Sequence, residues 1–134
     1  MRDGHCRHER REGGKQTKTV LVSNCGFWEM DNFEPLVAHV KAICKNAGWE
    51  YAGALLRPHG PAFSYMLRKD YSVQDVVEAA KRAGKEIVAT GKMKDETLKT
   101  VSHMLLPLEE YVETTNQAFK RALDRLNQTQ EPKP

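Results

Sequence analysis

Short apolar runs and segments of helical periodicity alternate along this chain. Residues 19–23 (TVLVS) are apolar and β-branched and lead into Asn-Cys-Gly, which predicts a strand buried on both faces that ends in a loop. Residues 49–56 predict a second strand, which the RPHGP sequence over 57–61 terminates. Between them, apolar positions recur at helical spacing from Phe33 to Ala47, and Gly48 is the expected terminal glycine. Strand, helix and strand together predict one parallel βαβ unit with a right-handed crossover.

Two of the predicted helices have the residue spacing of a capping box at their starts. Asp31 precedes Glu34 by three residues at the first helix, where Pro35 is tolerated in the opening turn. Ser72 precedes Asp75 by the same spacing at the next helix. We therefore expect the side chains of Asp31 and Ser72 to cap these two helices.

Residues 61–71 predict an irregular connector, and helices follow it. The helix after Ser72 would end at Gly91, and Gly84 within it predicts close packing or a bend, because glycine costs about 1 kcal/mol relative to alanine there. A short helix is expected over residues 95–103. The helix that ends at Gly91 presents one apolar stripe, formed by Val73, Val76, Val77, Ala80, Ile87 and Val88.

The last predicted helix starts near Pro107, and the polar residues 127–134 beyond it should fray. Its apolar side is formed by Leu108, Tyr111, Val112, Thr115, Phe119, Ala122, Leu123 and Leu126. The expected organisation is therefore a polar arm over residues 1–18, an α/β body over 19–126 and a tail over 127–134.

Composition and charge narrow the class of protein. A chain of 134 residues is one domain in size, and no apolar stretch approaches the length of a membrane-spanning helix. Residues 1–18 hold six basic and three acidic side chains, which leaves fifteen of each sign in residues 19–134. A neutral body argues against nucleic-acid binding. Three irregularly spaced cysteines predict free thiols rather than a disulfide framework, so we expect a cytoplasmic protein.

A family resemblance is carried by six segments, which span residues 18–27 (KTVLVSNCGF), 32–36 (NFEPL), 44–53, 56–58, 79–84 and 109–116. They resemble flavodoxin-fold NADPH-dependent FMN reductases, in the branch that includes iron-sulfur flavoproteins and multimeric flavodoxins. The first two segments resemble the fourth strand and following helix of that fold. Residues 44–53 (CKNAGWEYAG) and 56–58 (LRP) resemble the continuation into the fifth strand, and 79–84 and 109–116 resemble the C-terminal helices. The resemblance implies part of a flavodoxin-like three-layer α/β sandwich, with a parallel βαβ unit followed by C-terminal helices.

The resemblance also implies a redox function, with FMN as cofactor and NAD(P)H as reductant. Members of the family bind the FMN phosphate in a glycine- and serine-rich loop after the first strand, and no segment of this sequence matches that loop or the first three strands. We therefore expect the C-terminal half of a flavodoxin-like protein with only a partial FMN site. The alternative is a non-catalytic α/β half-domain that associates with itself and binds no flavin.

The candidate cofactor-binding residues follow the first strand, where parallel sheets place their ligands. They are Ser23, Asn24, Cys25, Gly26 and Phe27. The resemblance places this loop beside the flavin ring, although the family often has threonine where Asn24 stands. An ordinary strand-to-helix turn is the alternative. The neighbouring Phe27 and Trp28 are expected to be exposed, where they would cover either a flavin or a partner surface or simply anchor the loop.

Other chemically active side chains do not form a recognisable site in the sequence. His5, Cys6 and His8 are clustered, and Cys25 could complete a set of four metal ligands, but structural zinc sites pair two separated clusters, so we expect no metal. No catalytic nucleophile or acid–base pair is predicted. Cys44 lies on an apolar helix face and should be core, whereas His39 lies off that face and should be solvated.

A two-stranded parallel sheet is not stable alone, because parallel strands need burial on both faces and an unpaired edge on each side exposes backbone N–H and C=O groups. We therefore expect a homo-oligomer that associates through an open sheet edge and the C-terminal helices. No membrane or nucleic-acid partner is expected.

Overall fold

The computed structural model describes residues 16–130, and it describes side chains through residue 128. The elements in chain order are β1 (Lys18–Asn24), a 3-10 turn (Met30–Phe33), α1 (Glu34–Ala47), β2 (Glu50–Arg57), α2 (Gly60–Arg68), α3 (Gln74–Thr90), α4 (Asp95–Ser102) and α5 (Leu108–Gln130). The chain divides into two compact units. The first extends to His103 and holds β1 to α4, and the second begins at Met104 and holds α5.

The predicted βαβ unit is confirmed. β1 and β2 pair in parallel, with Lys18 beside Glu50 and Asn24 beside Arg57 at the two ends of the ladder. The register shifts once, between Thr19 and Val20, and Gly53 lies at this irregularity with φ 124°. Only glycine adopts that backbone readily, and a Cβ there would lie 2.8 Å from Cε of Met93.

The expectation that β1 is buried on both faces is wrong. Val22, in the middle of the strand, is 72% exposed. Within residues 16–130 the sheet has only β1 and β2, so no further strand or helix covers this side chain. β1 therefore contains more apolar side chains than the described structure buries.

The helix ends predicted at glycines are confirmed, whereas the side-chain caps predicted at helix starts do not form. Gly48 and Gly91 end α1 and α3 in the left-handed conformation, as predicted. The predicted side-chain caps are wrong, because no cap hydrogen bond forms at either start. Asp31 lies inside the 3-10 turn instead of the extended position that a capping residue needs. The buried Val73 occupies the residue before α3, so burial of an apolar side chain sets that boundary.

Residues 61–71 are not an irregular connector, because α2 occupies most of this segment. Pro61 lies in its first turn, where proline's fixed φ suits a helix and its missing N–H has no partner to lose. The Gly-Pro pair, which predicts the end of β2, therefore also starts a helix.

The core of the first unit lies where α3, α4 and β2 pack together, with α1 beside the sheet. Its buried apolar side chains are Phe33, Cys44, Val73, Val76, Ala79, Ala83 and Val101. One member of the predicted α3 stripe is wrong, because Val88 is 87% exposed. A Cβ at Gly84 would meet nothing within 4 Å, so of the two reasons predicted for this glycine, close packing is excluded.

The short α4 and the start of α5 after Pro107 follow the prediction. α5 continues to Gln130, beyond residue 126, where the predicted body ends. Residues 131–134, like residues 1–15 of the predicted arm, lie outside the described part of the chain. Among the helices of residues 16–130, none has the length and apolar character that crossing a membrane requires.

Candidate ligand site at the carboxyl ends of the strands

The loops that follow β1 and β2 are joined by three backbone hydrogen bonds. The Cys25 N–H donates to the Arg57 carbonyl at 3.2 Å, and the Gly60 N–H donates to the Cys25 carbonyl at 2.8 Å. The His59 N–H donates to the Phe27 carbonyl at 3.0 Å. The loop after β1 is therefore held against the start of α2 by backbone groups.

The five predicted site residues lie at the end of β1 and in the loop after it, and they differ in exposure. Ser23 and Cys25 are half-buried, and the Cys25 thiol lies 3.7 Å from the Phe27 carbonyl. Asn24 and Gly26 are exposed, and the Phe27 ring is 59% exposed. Phe27 thus agrees with the prediction for an exposed aromatic side chain.

The space above Gly26 is open. A Cβ built on this glycine would meet no atom within 4 Å. A side chain at this position would therefore point into open space among the described residues, and the exposed Phe27 follows it in the chain.

Gly60 belongs to the site although the sequence argument did not single it out. A Cβ at Gly60 would lie 2.5 Å from Oδ1 of Asn24 and 3.2 Å from the Cys25 carbonyl oxygen. Glycine therefore lets the start of α2 approach the end of β1. The available signal was that Gly60 follows a strand parallel to β1, so both must end at the same sheet edge.

The Arg57 side chain connects the carboxyl ends of the two strands to the C-terminus of α4. Its buried guanidinium donates from Nε to the Pro58 carbonyl at 2.7 Å, from Nη1 to the Val101 carbonyl at 2.7 Å and from Nη2 to the His103 carbonyl. The carbonyls at a helix C-terminus lack intrahelical donors, so the side chain of Arg57 caps α4 from another element. Burial lowers the pKa of Arg57 to about 10, which leaves the side chain protonated at neutral pH.

His59 is fully buried in the left-handed conformation, with φ 56°. Its carbonyl accepts from the Phe63 N–H at 2.8 Å, inside α2, and its ring centroid lies 6.0 Å from that of Trp28. Trp28 is half-buried, so the prediction that it is exposed is wrong. Burial, and then the Arg57 charge, lower the pKa of His59, and Glu29 acts in the opposite direction. We call residues 57–60 and the groups that they bind the Arg57 junction.

The remaining candidates lie apart from this edge or outside the described residues. Cys44 is a free thiol buried in the core as predicted, and His39 is exposed as predicted. Within residues 16–130, no group of three or more His, Cys, Asp or Glu side chains could hold a metal ion. His5, Cys6 and His8 lie outside the described residues.

Comparison with known protein families, with curated proteins and with solved structures finds no match to this chain.

Proposed function

We propose that the chain provides the ring-facing side of a flavodoxin-like FMN site in a protein related to NAD(P)H-dependent FMN reductases. In this proposal β1 and β2 are the fourth and fifth strands of a flavodoxin-like three-layer sandwich. Ser23, Asn24, Cys25, Gly26 and Phe27 lie beside the isoalloxazine ring. Bound FMN would accept a hydride from NAD(P)H and pass electrons to an acceptor.

The observation that carries this proposal is the open, fixed backbone at Gly26. Parallel sheets bind ligands outside the carboxyl ends of their strands, and residues 24–27 lie there. The hydrogen bonds from Cys25 and Gly60 and the one accepted by Phe27 hold the loop on both sides of Gly26. A ring that packs on this loop would meet a backbone that is already ordered, which lowers the entropic cost of binding.

The chain's own residues have limited tasks in this chemistry. Gly26 admits the ring to the backbone, and Phe27 provides apolar contact area at its edge. Asn24, held beside Gly60, offers an amide for hydrogen bonding to ring heteroatoms. The sequence has no match to the family's phosphate loop, so the proposal assigns the phosphate contacts to a further segment or chain.

Titration with two flavins tests the proposal. Lumiflavin has the FMN ring system without the ribityl phosphate, so a ring-only site should bind lumiflavin and FMN with similar affinity, measured by quenching of flavin fluorescence. Gly26→Leu should weaken both at least about tenfold, a change of roughly 1.4 kcal/mol. Gly84→Ala is the matched control, because a Cβ there also meets nothing and the position lies in α3. Failure of both flavins to bind, or equal binding by Gly26→Leu, would contradict the proposal.

The second candidate function is a non-catalytic half-domain that associates through the sheet edge and binds no flavin. The exposed Val22 favours it, since an apolar side chain in a strand with an open edge is typical of strand pairing between chains. Val22→Lys should then reduce self-association measured by light scattering. A chain that self-associates but stays colourless after FMN is added would favour this candidate over the redox proposal.

A further inference from the structure

The second compact unit carries an apolar surface that is independent of the flavin proposal and of the sheet edge. α5 is a 23-residue helix, which corresponds to a length of about 35 Å. Its large apolar side chains are exposed, with Phe119 at 65% and Leu126 at 60%. Leu108, Val112 and Leu123 are exposed on the same helix.

One row of apolar and small side chains on α5 follows alternating steps of four and three residues, the spacing of a coiled coil. We call this row the α5 seam, and it consists of Leu108, Val112, Thr115, Phe119, Ala122 and Leu126. The opposite face is polar and internally bonded: Gln117 donates to Glu113 at 3.2 Å and accepts from Arg121 at 3.3 Å. The helix therefore has one face suited to another helix and one suited to water.

Charge is divided along the length of α5. Its first ten residues, 108–117, contain Glu109, Glu110 and Glu113 and no basic side chain. Residues 118–128 contain three basic side chains, Lys120, Arg121 and Arg125, and one acidic side chain. A parallel pair of these helices would place like charges side by side, whereas an antiparallel pair places the acidic half of each beside the basic half of the other.

We propose that α5 is a dimerisation helix that pairs antiparallel with α5 of a second copy of this chain. The spacing supports one register. The steps of four and three residues from Leu108 to Thr115 equal those from Leu126 back to Phe119. Placing Leu108 opposite the second copy's Leu126 therefore also places Val112 opposite Ala122 and Thr115 opposite Phe119.

This register combines small and large side chains in its inner layers. The Phe119 ring of each copy faces the smaller Thr115 of the other, and Ala122 faces Val112. Layers that alternate large and small residues fill the space between two helices without voids or overlap. The register thus satisfies both the charge pattern and the volume pattern of the seam.

Association of the full chain tests the proposal, using sedimentation equilibrium. The wild type should be a dimer at micromolar concentration, and Phe119→Glu should weaken dimerisation at least about hundredfold, because it places two carboxylates in the seam. Gln128→Glu adds the same charge on the polar face and should weaken it less than about threefold. Because Phe119 is exposed in the single chain, the substitution should not unfold the first unit, and far-ultraviolet circular dichroism checks this. A monomeric wild type, including one that binds anionic vesicles through α5, would overturn the proposal.

Cysteine cross-linking tests the orientation, in a chain with Cys6→Ser and Cys25→Ser. Ala118 lies beside the two-fold axis of the proposed register, so Ala118→Cys should form a disulfide with its own copy. In the same register Glu109 of one copy lies beside residue 125 of the other, so Glu109→Cys would be about 24 Å from its own copy and should not cross-link. Cross-linking by Glu109→Cys at the rate of Ala118→Cys would indicate a parallel pair and contradict the proposed register. Val22→Lys should leave cross-linking through Ala118→Cys unchanged, which separates this interface from one at the sheet edge.

Discussion

The Arg57 junction and the α5 seam depart from the usual distribution of polar and apolar groups in opposite directions. At the junction, a guanidinium and an imidazole are buried, and Arg57 donates to three carbonyls. On α5, Phe119, Leu123 and Leu126 are exposed. Buried polar groups need one set of partners at one geometry, so they define a single arrangement of the strand ends. Exposed apolar groups have no such geometry within the chain and indicate a surface for another molecule.

The largest expected effect is a difference in the free energy of unfolding between variants of the two regions. Arg57→Ala should lower the free energy of unfolding by about 3 kcal/mol, because the carbonyls of Val101 and His103 lose a charged donor inside the protein. Leu126→Ala in the seam should change it by less than about 0.5 kcal/mol at concentrations where the chain is monomeric. Denaturant unfolding followed by circular dichroism measures both, and equal losses would erase the distinction.

A pair of glycines tests how tightly the junction is packed. Gly60→Ala should destabilise the chain by about 1 kcal/mol, because the new methyl group collides with Asn24 and approaches the Cys25 carbonyl. Gly84→Ala should stabilise it by about 0.5–1 kcal/mol, since the space is open and alanine favours the helix. Thermal unfolding of both variants checks the opposite signs. A stabilising Gly60→Ala would mean that the ends of β1 and β2 tolerate more separation than the structure shows.

The smallest expected effect is a pH dependence of the junction. The pKa of His59 is lowered by burial below its ordinary 6.5, so the unfolded chain binds a proton more readily than the folded chain. The free energy of unfolding should therefore fall as the pH decreases from about 6.5 towards the pKa of the folded state. His59→Asn removes the titrating group, and asparagine tolerates the left-handed backbone. Urea unfolding between about pH 7 and pH 5 should show a shallower dependence for this variant than for the wild type.

His39→Gln is the control variant for that experiment, because it replaces a histidine that is exposed on α1. If the unfolding free energy of His59→Asn changes with pH as steeply as that of the wild type, other groups cause the pH dependence.

Glu86 titrates in a separate, more acidic range. The Lys94 N–H donates to it and holds its pKa below 4.5, so its contribution to stability is lost only as the pH falls through that lower range.

The sequence by itself determined the elements whose signals are local. A β-branched run predicted β1, the apolar residues before the RPHGP sequence predicted β2, and terminal glycines at Gly48 and Gly91 predicted the ends of α1 and α3. The parallel pairing followed from the length of the connection between the strands. The sequence also placed residues 23–27 at the carboxyl end of β1, where they lie in the structure.

Only the tertiary structure decided the features that depend on contacts between distant segments. Arg57 meets the end of α4 across 44 residues of sequence, and no local pattern encodes that approach. The contact between Gly60 and Asn24 and the burial of His59 against Trp28 likewise require both loops to be in place. Val22 and Val88 are as apolar as the buried Val73 and Val76, yet they are exposed, because burial depends on which elements pack over a residue rather than on its own side chain.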